Sequence, residues 1–305
     1  MAFFSVLASV ALEHLRPLRQ PLPHYLAYSR FTRWLERRFN GGEYSHGAIA
    51  WMLAVVPVLT AVWLVFFVLN GISPILGWAW NVAVLYLTLG FKYFSDDAEH
   101  IARLLRAGEL ESARERLGAW RGGDAGHFTA DEVARVTLEQ VMEASNRQMF
   151  GVLFWFVLLA PLGPVGAVLY RTASILSRRW VGTRGHFSAF AQRAFHLINW
   201  LPVRLTAVTY AIAGNFEDAM YCWRTQAGGW PEPEEGVVIA AGAGAMGVKL
   251  GQSVTIGDEA VWRPELGTGQ APDHDCIDSS VSMIWRGLVI WLVAGLLVVI
   301  ASWVA

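Results

Sequence analysis

One glycine motif in this chain has the spacing of a nucleotide-binding loop. Residues 242–247, Gly-Ala-Gly-Ala-Met-Gly, match the G-x-G-x-x-G pattern and follow the apolar run 237–241. In a dinucleotide site, such a loop joins a strand to a helix, and an acidic residue about 20 positions further on binds the ribose. Here Asp258 and Glu259 come too early, and the stretch from Arg263 offers no second strand. The sequence therefore disfavours a nucleotide-binding role for this motif.

The residue types that most often bind metal ions are dispersed along the chain. No two of the eight histidines lie four residues apart beside an acid, and Cys222 and Cys276 form no C-x-x-C pair. The run Asp273-His274-Asp275 could touch a metal, but an acidic loop of this kind is more often a solvated surface. We therefore expect no metal site, and we interpret both cysteines as ordinary thiols.

The composition and hydropathy place the chain in a membrane. Hydrophobic residues make up 54% of the chain and charged residues only 16%, against about 25% in a typical soluble domain. Two uncharged runs, near 48–70 and 287–304, are long enough to cross a hydrocarbon core of about 30 Å. A third span, near 75–91, follows the first through the turn at 70–74, and arginines on both flanks put that turn outside. We predict an all-α, polytopic helical membrane protein whose partner is the lipid bilayer and not nucleic acid, because a net charge of −1 provides no basic face.

The segment 94–147 is polar and favours helix, and we interpret it as a cytoplasmic helical insert between membrane segments. Asp96 and Asp97 are placed to cap its first helix. The run Thr129-Ala-Asp-Glu132 has the pattern of a capping box, which predicts the start of a later helix.

The apolar segment 149–170 is interrupted by Pro161, Gly163 and Pro164. A single span here would put five downstream arginines outside, against the positive-inside rule. A broken, re-entrant pair of half-helices keeps them cytoplasmic, provided that protein or water covers the broken backbone. A proline-kinked single span is the alternative. The five arginines are Arg171, Arg178, Arg179, Arg184 and Arg193.

These patterns divide the chain into five segments. The first contains the helical hairpin and a short N-terminal helix, which we interpret as retained because no small-residue cleavage site follows it. The fourth is rich in Gly, Pro and acidic residues and predicts a loop region with short elements. The segments are 1–93 (N-terminal membrane part), 94–147 (insert), 148–227 (broken segment and the helix after it), 228–286 (loop region) and 287–305 (C-terminal transmembrane helix).

A helix with polar groups among apolar residues carries the strongest family signal. Residues 199–214, Asn-Trp-Leu-Pro-Val-Arg-Leu-Thr-Ala-Val-Thr-Tyr-Ala-Ile-Ala-Gly, resemble the signature helix of the superfamily that unites CobD/CbiB and AmpE proteins. The resemblance covers nearly the whole chain, and it implies that the glycine motif described above lies in a small-residue helix. Other stretches that resemble the superfamily, in its order, are 33–38, 107–114, 123–124, 170–171, 229–231 and 242–251.

The resemblance also implies a particular chemistry. CobD/CbiB proteins are membrane synthases of cobalamin assembly that join an aminopropanol unit to adenosylcobyric acid with ATP and magnesium. Three clusters of acidic and amide residues in the synthases suit this reaction, because their oxygens hold Mg²⁺ against phosphate charge. In the first cluster, this chain keeps Glu143 but has Arg147 in place of an Asp. The second, at 174–178, lacks both the acid and the amide, and the third has Phe195-His196 in place of an Asp pair.

The polar residues that remain are candidates for binding a small anionic ligand, either a phosphate or a carboxylate. Arg171 and Arg204 would be the charge-assisted donors. The structural alternative is that Arg204 pairs with Glu143 and that Asn199 satisfies backbone groups freed by Pro202. The candidate residues are Asp124, Glu143, Tyr170, Arg171, Asn199 and Arg204.

The loss of acidic groups favours a function like that of AmpE. The protein would then be a multi-pass regulator in the bacterial inner membrane, acting in β-lactamase induction or envelope sensing. We expect it to bind no metal or cofactor and to act as a non-catalytic modulator, we assign no catalytic residue, and it could form a homo-oligomer. The alternative is a divergent CobD/CbiB-type cobinamide-phosphate synthase that uses ATP and magnesium. A third class, a membrane channel or carrier, rests only on the re-entrant segment.

Overall fold

The structure of the chain, a computed structural model, is built almost entirely from α-helices, which confirms the predicted all-α class. It describes residues 2–17, 23–183, 185–256 and 259–304, so Arg184 and Asp258 lie outside the described residues. The helices are α1 (Ala2–Leu15), α2 (Pro23–Phe39), α3 (Tyr44–Ile72), α4 (Pro74–Thr88), α5 (Phe91–Arg106), α6 (Leu110–Arg121), α7 (Ala130–Ser145), α8 (Gly151–Leu158), α9 (Val165–Arg179), α10 (Phe187–Ala213), α11 (Phe216–Gln226), α12 (Pro233–Met246) and α13 (His274–Val304).

The chain forms two compact units, and each is made of two stretches of sequence. The first unit contains residues 1–93 and 147–201, and the second contains 94–146 and 202–305. The predicted insert therefore belongs with the C-terminal part of the chain, since α7 packs against α12 and α13. The sequence pattern located these helices but gave no information on which of them pack together.

Three helical stretches are long and apolar enough to cross a membrane. They are Tyr44–Ile72, Pro74–Arg106 and His274–Ala301, and the three predicted spans fall on them. The last span is predicted over 287–304, and the helix that contains it, α13, begins earlier, at His274. A sharp turn separates the first two stretches, and the Ser73 hydroxyl accepts a hydrogen bond from the first turn of α4.

Of the two helix starts predicted in the polar segment 94–147, the structure confirms one. The N-cap prediction for Asp96 and Asp97 is wrong, because α5 begins at Phe91 and both residues lie inside it. Asp97 is buried and forms an ion pair with Arg116 of α6. The capping-box prediction is confirmed: Thr129 and Glu132 exchange hydrogen bonds at the start of α7.

The broken apolar segment is a pair of helices that fold back on each other. Helix α8 has eight residues, or about 12 Å of length, and is far too short to cross a bilayer. A turn at Gly163, which has a φ of 73°, leads into α9. Gly166 of α9 lies so close to α8 that a Cβ there would overlap the carbonyl oxygen of Trp155. The segment is therefore a helical hairpin and not a kinked single span, while the side of the membrane on which Arg178 lies stays a prediction.

The region 228–286 contains more regular structure than the predicted loop. Helix α12 occupies the glycine motif, which confirms the small-residue helix implied by the resemblance. Two antiparallel strand pairs follow, and the first of them packs against α7 and α12. The pairs are β1 (Lys249–Gly251) with β4 (Glu265–Gly267), and β2 (Val254–Ile256) with β3 (Glu259–Val261).

A buried ion pair attaches this strand region to α7. The carboxylate of Glu139 binds the Arg263 guanidinium and also accepts the backbone N–H of Gly251 at 2.9 Å. The Arg263 guanidinium lies 5.3 Å from the centroid of the Trp230 ring. A buried carboxylate requires such a full set of partners, because removing it from water is costly.

The hairpin of α8 and α9 yields a stability prediction. Gly166→Ala places a methyl group against the Trp155 carbonyl, and we expect it to lower the free energy of unfolding by about 1–3 kcal/mol. Gly71→Ala is the matched control, because a Cβ at that helical position meets no atom within 4 Å. Thermal unfolding in detergent measures both, and equal stability of the two variants would contradict the described packing.

Candidate functional site

Three separate stretches of the chain meet around Arg147. This residue lies in the π-helical turn Asn146–Phe150 before α8. Its Nη1 donates to the hydroxyl of Ser177 at 3.4 Å, and its guanidinium lies 4.5 Å from the centroid of the Phe195 ring. We call these three residues the Arg147 cluster. They come from the three places where the resemblance implies acidic or amide clusters, so those places share one site although the acids are missing.

A buried hydrogen bond lies beside the Arg147 cluster. The hydroxyl of Tyr170 donates to Oδ1 of Asn199 at 2.7 Å, and both residues are almost fully buried. The ring of Tyr170 packs 5.6 Å from that of Phe195, centroid to centroid. Gly151 makes room for Tyr170, since a Cβ at 151 would overlap the phenol ring. Two of the predicted candidates, Tyr170 and Asn199, are therefore brought together.

The backbone carbonyl that Pro202 leaves unpaired is satisfied by a tryptophan. Pro202 has no N–H, so the carbonyl of Ile198 loses its usual helical donor. The indole N–H of Trp155 donates to this carbonyl at 2.9 Å. The structural alternative predicted Asn199 in this role, but the structure gives the role to Trp155.

Arg171 lies next to Tyr170 in the sequence but has different surroundings. It lines a cavity among α2, α3, α4 and α9. The acidic group whose charge acts on it is Glu13 of α1. The carboxylate of Glu13 itself accepts the backbone N–H of Lys92 at 3.0 Å.

The other three predicted candidates belong to the second unit. Asp124 is exposed in the turn between α6 and α7, where its carboxylate accepts the N–H of Gly126 at 2.8 Å. Glu143 is half-buried on α7. Arg204 is half-buried on α10, and the acidic group whose charge acts on it is Glu234.

The structure explains two further side chains with reactive groups, Cys222 and Asp273, without a functional site. Burial raises the pKa of the Cys222 thiol, so that it stays protonated and unreactive at neutral pH. Asp273 caps α13 by accepting the N–H groups of Asp275 and Cys276, each at 3.0 Å. The hydrogen bonds from Cys276 lower the pKa of Asp273. Among the described residues, no three His, Cys, Asp or Glu side chains are grouped so as to hold a metal ion.

The Arg147 cluster has the chemistry of an anion site. A guanidinium can donate two parallel hydrogen bonds to a phosphate or carboxylate, and a ring on one face fixes its plane. Arg147 is only half-buried, so an incoming ligand can reach it. Sequence reasoning missed this residue because it interpreted Arg147 only as the loss of a metal ligand. The signal was nevertheless present, since a charge beside an apolar membrane segment is by default a functional candidate.

Comparison with known proteins shows the same family along most of the chain. Residues 6–284 match the model of the CobD/Cbib protein family. The Cobalamin biosynthesis protein CobD of Stutzerimonas stutzeri is 37% identical over 95% of each chain. Its namesake in Chromobacterium violaceum is 39% identical over 80% of this chain and 77% of the relative. No solved structure matches the chain.

The fold and the site together define an all-α membrane protein in which an arginine before α8 and an aromatic ring and a buried amide on α10 contact residues of α9. The chain belongs to the CobD/CbiB family. The interpretation as an AmpE-like regulator is wrong, because relatives of 37–39% identity are named for cobalamin biosynthesis. That interpretation was based on three substituted clusters and not on the similarity of the whole chain. Substituting a few ligands alters the charge of a site but does not remove the helices that form it.

The Tyr170–Asn199 hydrogen bond can be tested with a double-mutant cycle. Tyr170→Phe and Asn199→Leu each remove one partner, and we expect the two losses to be non-additive by about 1 kcal/mol because they break the same bond. Unfolding in detergent measures the cycle. The pair Tyr170→Phe with Gly71→Ala, which shares no contact, is the additive control. Additivity of the Tyr170 and Asn199 losses would show that the bond contributes nothing.

Proposed function

We propose that this chain is a membrane-bound synthase of cobalamin biosynthesis that forms an amide between an aminopropanol unit and adenosylcobyric acid. The observation that carries this proposal is the extent of the similarity: 37% identity over 95% of the chain and of a relative named for this pathway. The family match at 6–284 includes every segment of the Arg147 cluster and of the Tyr170–Asn199 pair. Similarity confined to the membrane helices would have supported the fold alone.

The residues of the first unit suit the anionic partners of such a reaction. The product class, a cobinamide phosphate, carries a phosphate on the aminopropanol side, and the other reactant is a carboxylic acid. Arg147 would hold one of these anionic groups with two parallel N–H···O bonds. Phe195 and Ser177 would fix the guanidinium. Tyr170, which packs on Phe195, and Asn199, which accepts the hydrogen bond of Tyr170, would act as positioning residues. Asp124, Glu143 and Arg204 remain candidate ligands on the second unit.

ATP and magnesium are the cofactors that this function would require, since a carboxylic acid must be activated before an amine attacks it. The Arg147 cluster does not fit the magnesium, because Arg147 repels a cation and its two neighbours offer no carboxylate. Magnesium in ATP-dependent enzymes is often held largely by the nucleotide's phosphates and water, with one or two carboxylates. We therefore assign Arg147 to an anionic substrate group and not to the metal.

We also propose that the protein is a multi-pass protein of the bacterial inner membrane. Three stretches long and apolar enough to cross a membrane support this location. The arginines that precede the first hairpin support a cytoplasmic N-terminal side.

Complementation tests the proposed function. A bacterial strain that lacks its own cobinamide-phosphate synthase and depends on added corrinoid should regain growth on adenosylcobyric acid when it expresses this chain. The Stutzerimonas stutzeri relative is the positive control, and added cobinamide shows that the later steps are intact. Failure of the chain, when immunoblots show it in the membrane at the level of the working relative, would contradict the proposal.

A further inference from the structure

A cavity of about 300 Å³ lies among four helices of the first unit. Helices α2, α3, α4 and α9 line it, and α3 and α4 belong to stretches able to cross a membrane. Its wall is mainly apolar, and half of the lining residues are aliphatic. The aliphatic residues are Val58, Val62, Val84, Leu87, Val168 and Ile175.

One positive charge lies in this apolar wall. Arg171 follows Tyr170 on α9, and neighbouring residues on a helix point about 100° apart, so the two side chains face different surroundings. Within the described part of the chain, no carboxylate lies within ion-pair distance of the Arg171 guanidinium. Glu13 acts on it only from a greater distance. A charge in an apolar membrane protein is costly without a counter-charge, and such residues are commonly functional.

The other polar groups of the cavity leave few donors for a ligand. Four of them already donate to backbone carbonyls. The Arg171 guanidinium and the Tyr25 hydroxyl, which interact electrostatically with each other, are the donors that a ligand could use. The four donors and their acceptors are Tyr28 to Ala54 at 3.4 Å, Trp80 to Val62 at 3.3 Å, Thr88 to Val84 at 3.0 Å and Thr172 to Val168 at 2.7 Å.

We propose that this cavity binds one anionic phospholipid, with its phosphate on Arg171 and Tyr25 and part of an acyl chain against the aliphatic wall. The positive charge of Arg171 favours a lipid with a net negative charge over a zwitterionic lipid. The apolar wall selects a ligand with a hydrocarbon tail over a free anion, because a small hydrated anion would lose water along most of its surface. The surrounding membrane supplies such a ligand at high concentration. This inference does not rest on the proposed function, so either can fail alone.

Lipid binding to the purified full-length protein tests the proposal. The protein is delipidated in detergent and titrated with dioleoylphosphatidylglycerol, and bound lipid is counted by native mass spectrometry. We expect one tightly bound lipid per chain and at least tenfold weaker binding of dioleoylphosphatidylcholine. Arg171→Gln should weaken phosphatidylglycerol binding at least tenfold by removing the charge. Ile175→Trp keeps the charge but fills the cavity, and it should do the same.

Arg193→Gln is the matched control, because Arg193 is exposed, its guanidinium lies over the ring of Tyr44, and it is not part of the cavity lining. It should bind lipid as the wild type does. Melting curves identify any variant that does not fold, and the second cavity variant keeps the test decisive in that case. Wild-type binding by both cavity variants would overturn the proposal. Equal binding of phosphatidylcholine, or displacement of the lipid by millimolar inorganic phosphate, would also overturn it.

Discussion

The close approach of α8 to α9 is the constraint on which the first unit depends. Gly151 faces the ring of Tyr170 and Gly166 faces the carbonyl of Trp155, and neither position has room for a Cβ. In lipid, helices gain little from burying apolar side chains, so they associate through such close packing and through hydrogen bonds. The approach of α8 and α9 holds Tyr170 where it can donate to Asn199, and it holds Trp155 where it can donate to α10.

Features with a local cause could be predicted from the sequence, and features that arise from tertiary packing could not. The capping box at Thr129 and the break at Gly163 each follow from a few neighbouring residues. The start of α5 does not, because Asp97 is buried against Arg116 instead of capping the helix. In the site, the family resemblance identified Tyr170 and Asn199 as candidates but gave no contact between them. The position of Arg171 in an apolar cavity depends on four helices and has no signature in the sequence.

The side chains of the site and the helices that hold them can change independently in this family. A metal or anion site depends on a few side chains, so replacing an acid with Arg147 changes its ligand without disturbing the scaffold. Family membership depends on residues spread over 6–284, and these determine which helices form and pair. The substitutions at Arg147 and Phe195 therefore change the charge of this cluster within a chain that still belongs to the family.

We propose that the Arg147 cluster binds an anionic group in an amide-forming reaction. The most direct test of this proposal is a product assay with the full-length protein in nanodiscs, supplied with adenosylcobyric acid, phosphorylated aminopropanol, ATP and magnesium, with the amide detected by mass spectrometry. We expect product from the wild type, at least tenfold slower formation by Arg147→Gln, and wild-type rates for Arg193→Gln, whose exposed guanidinium lies over Tyr44 instead. No product under conditions in which the Stutzerimonas stutzeri relative is active, or an unchanged rate for Arg147→Gln, would contradict it.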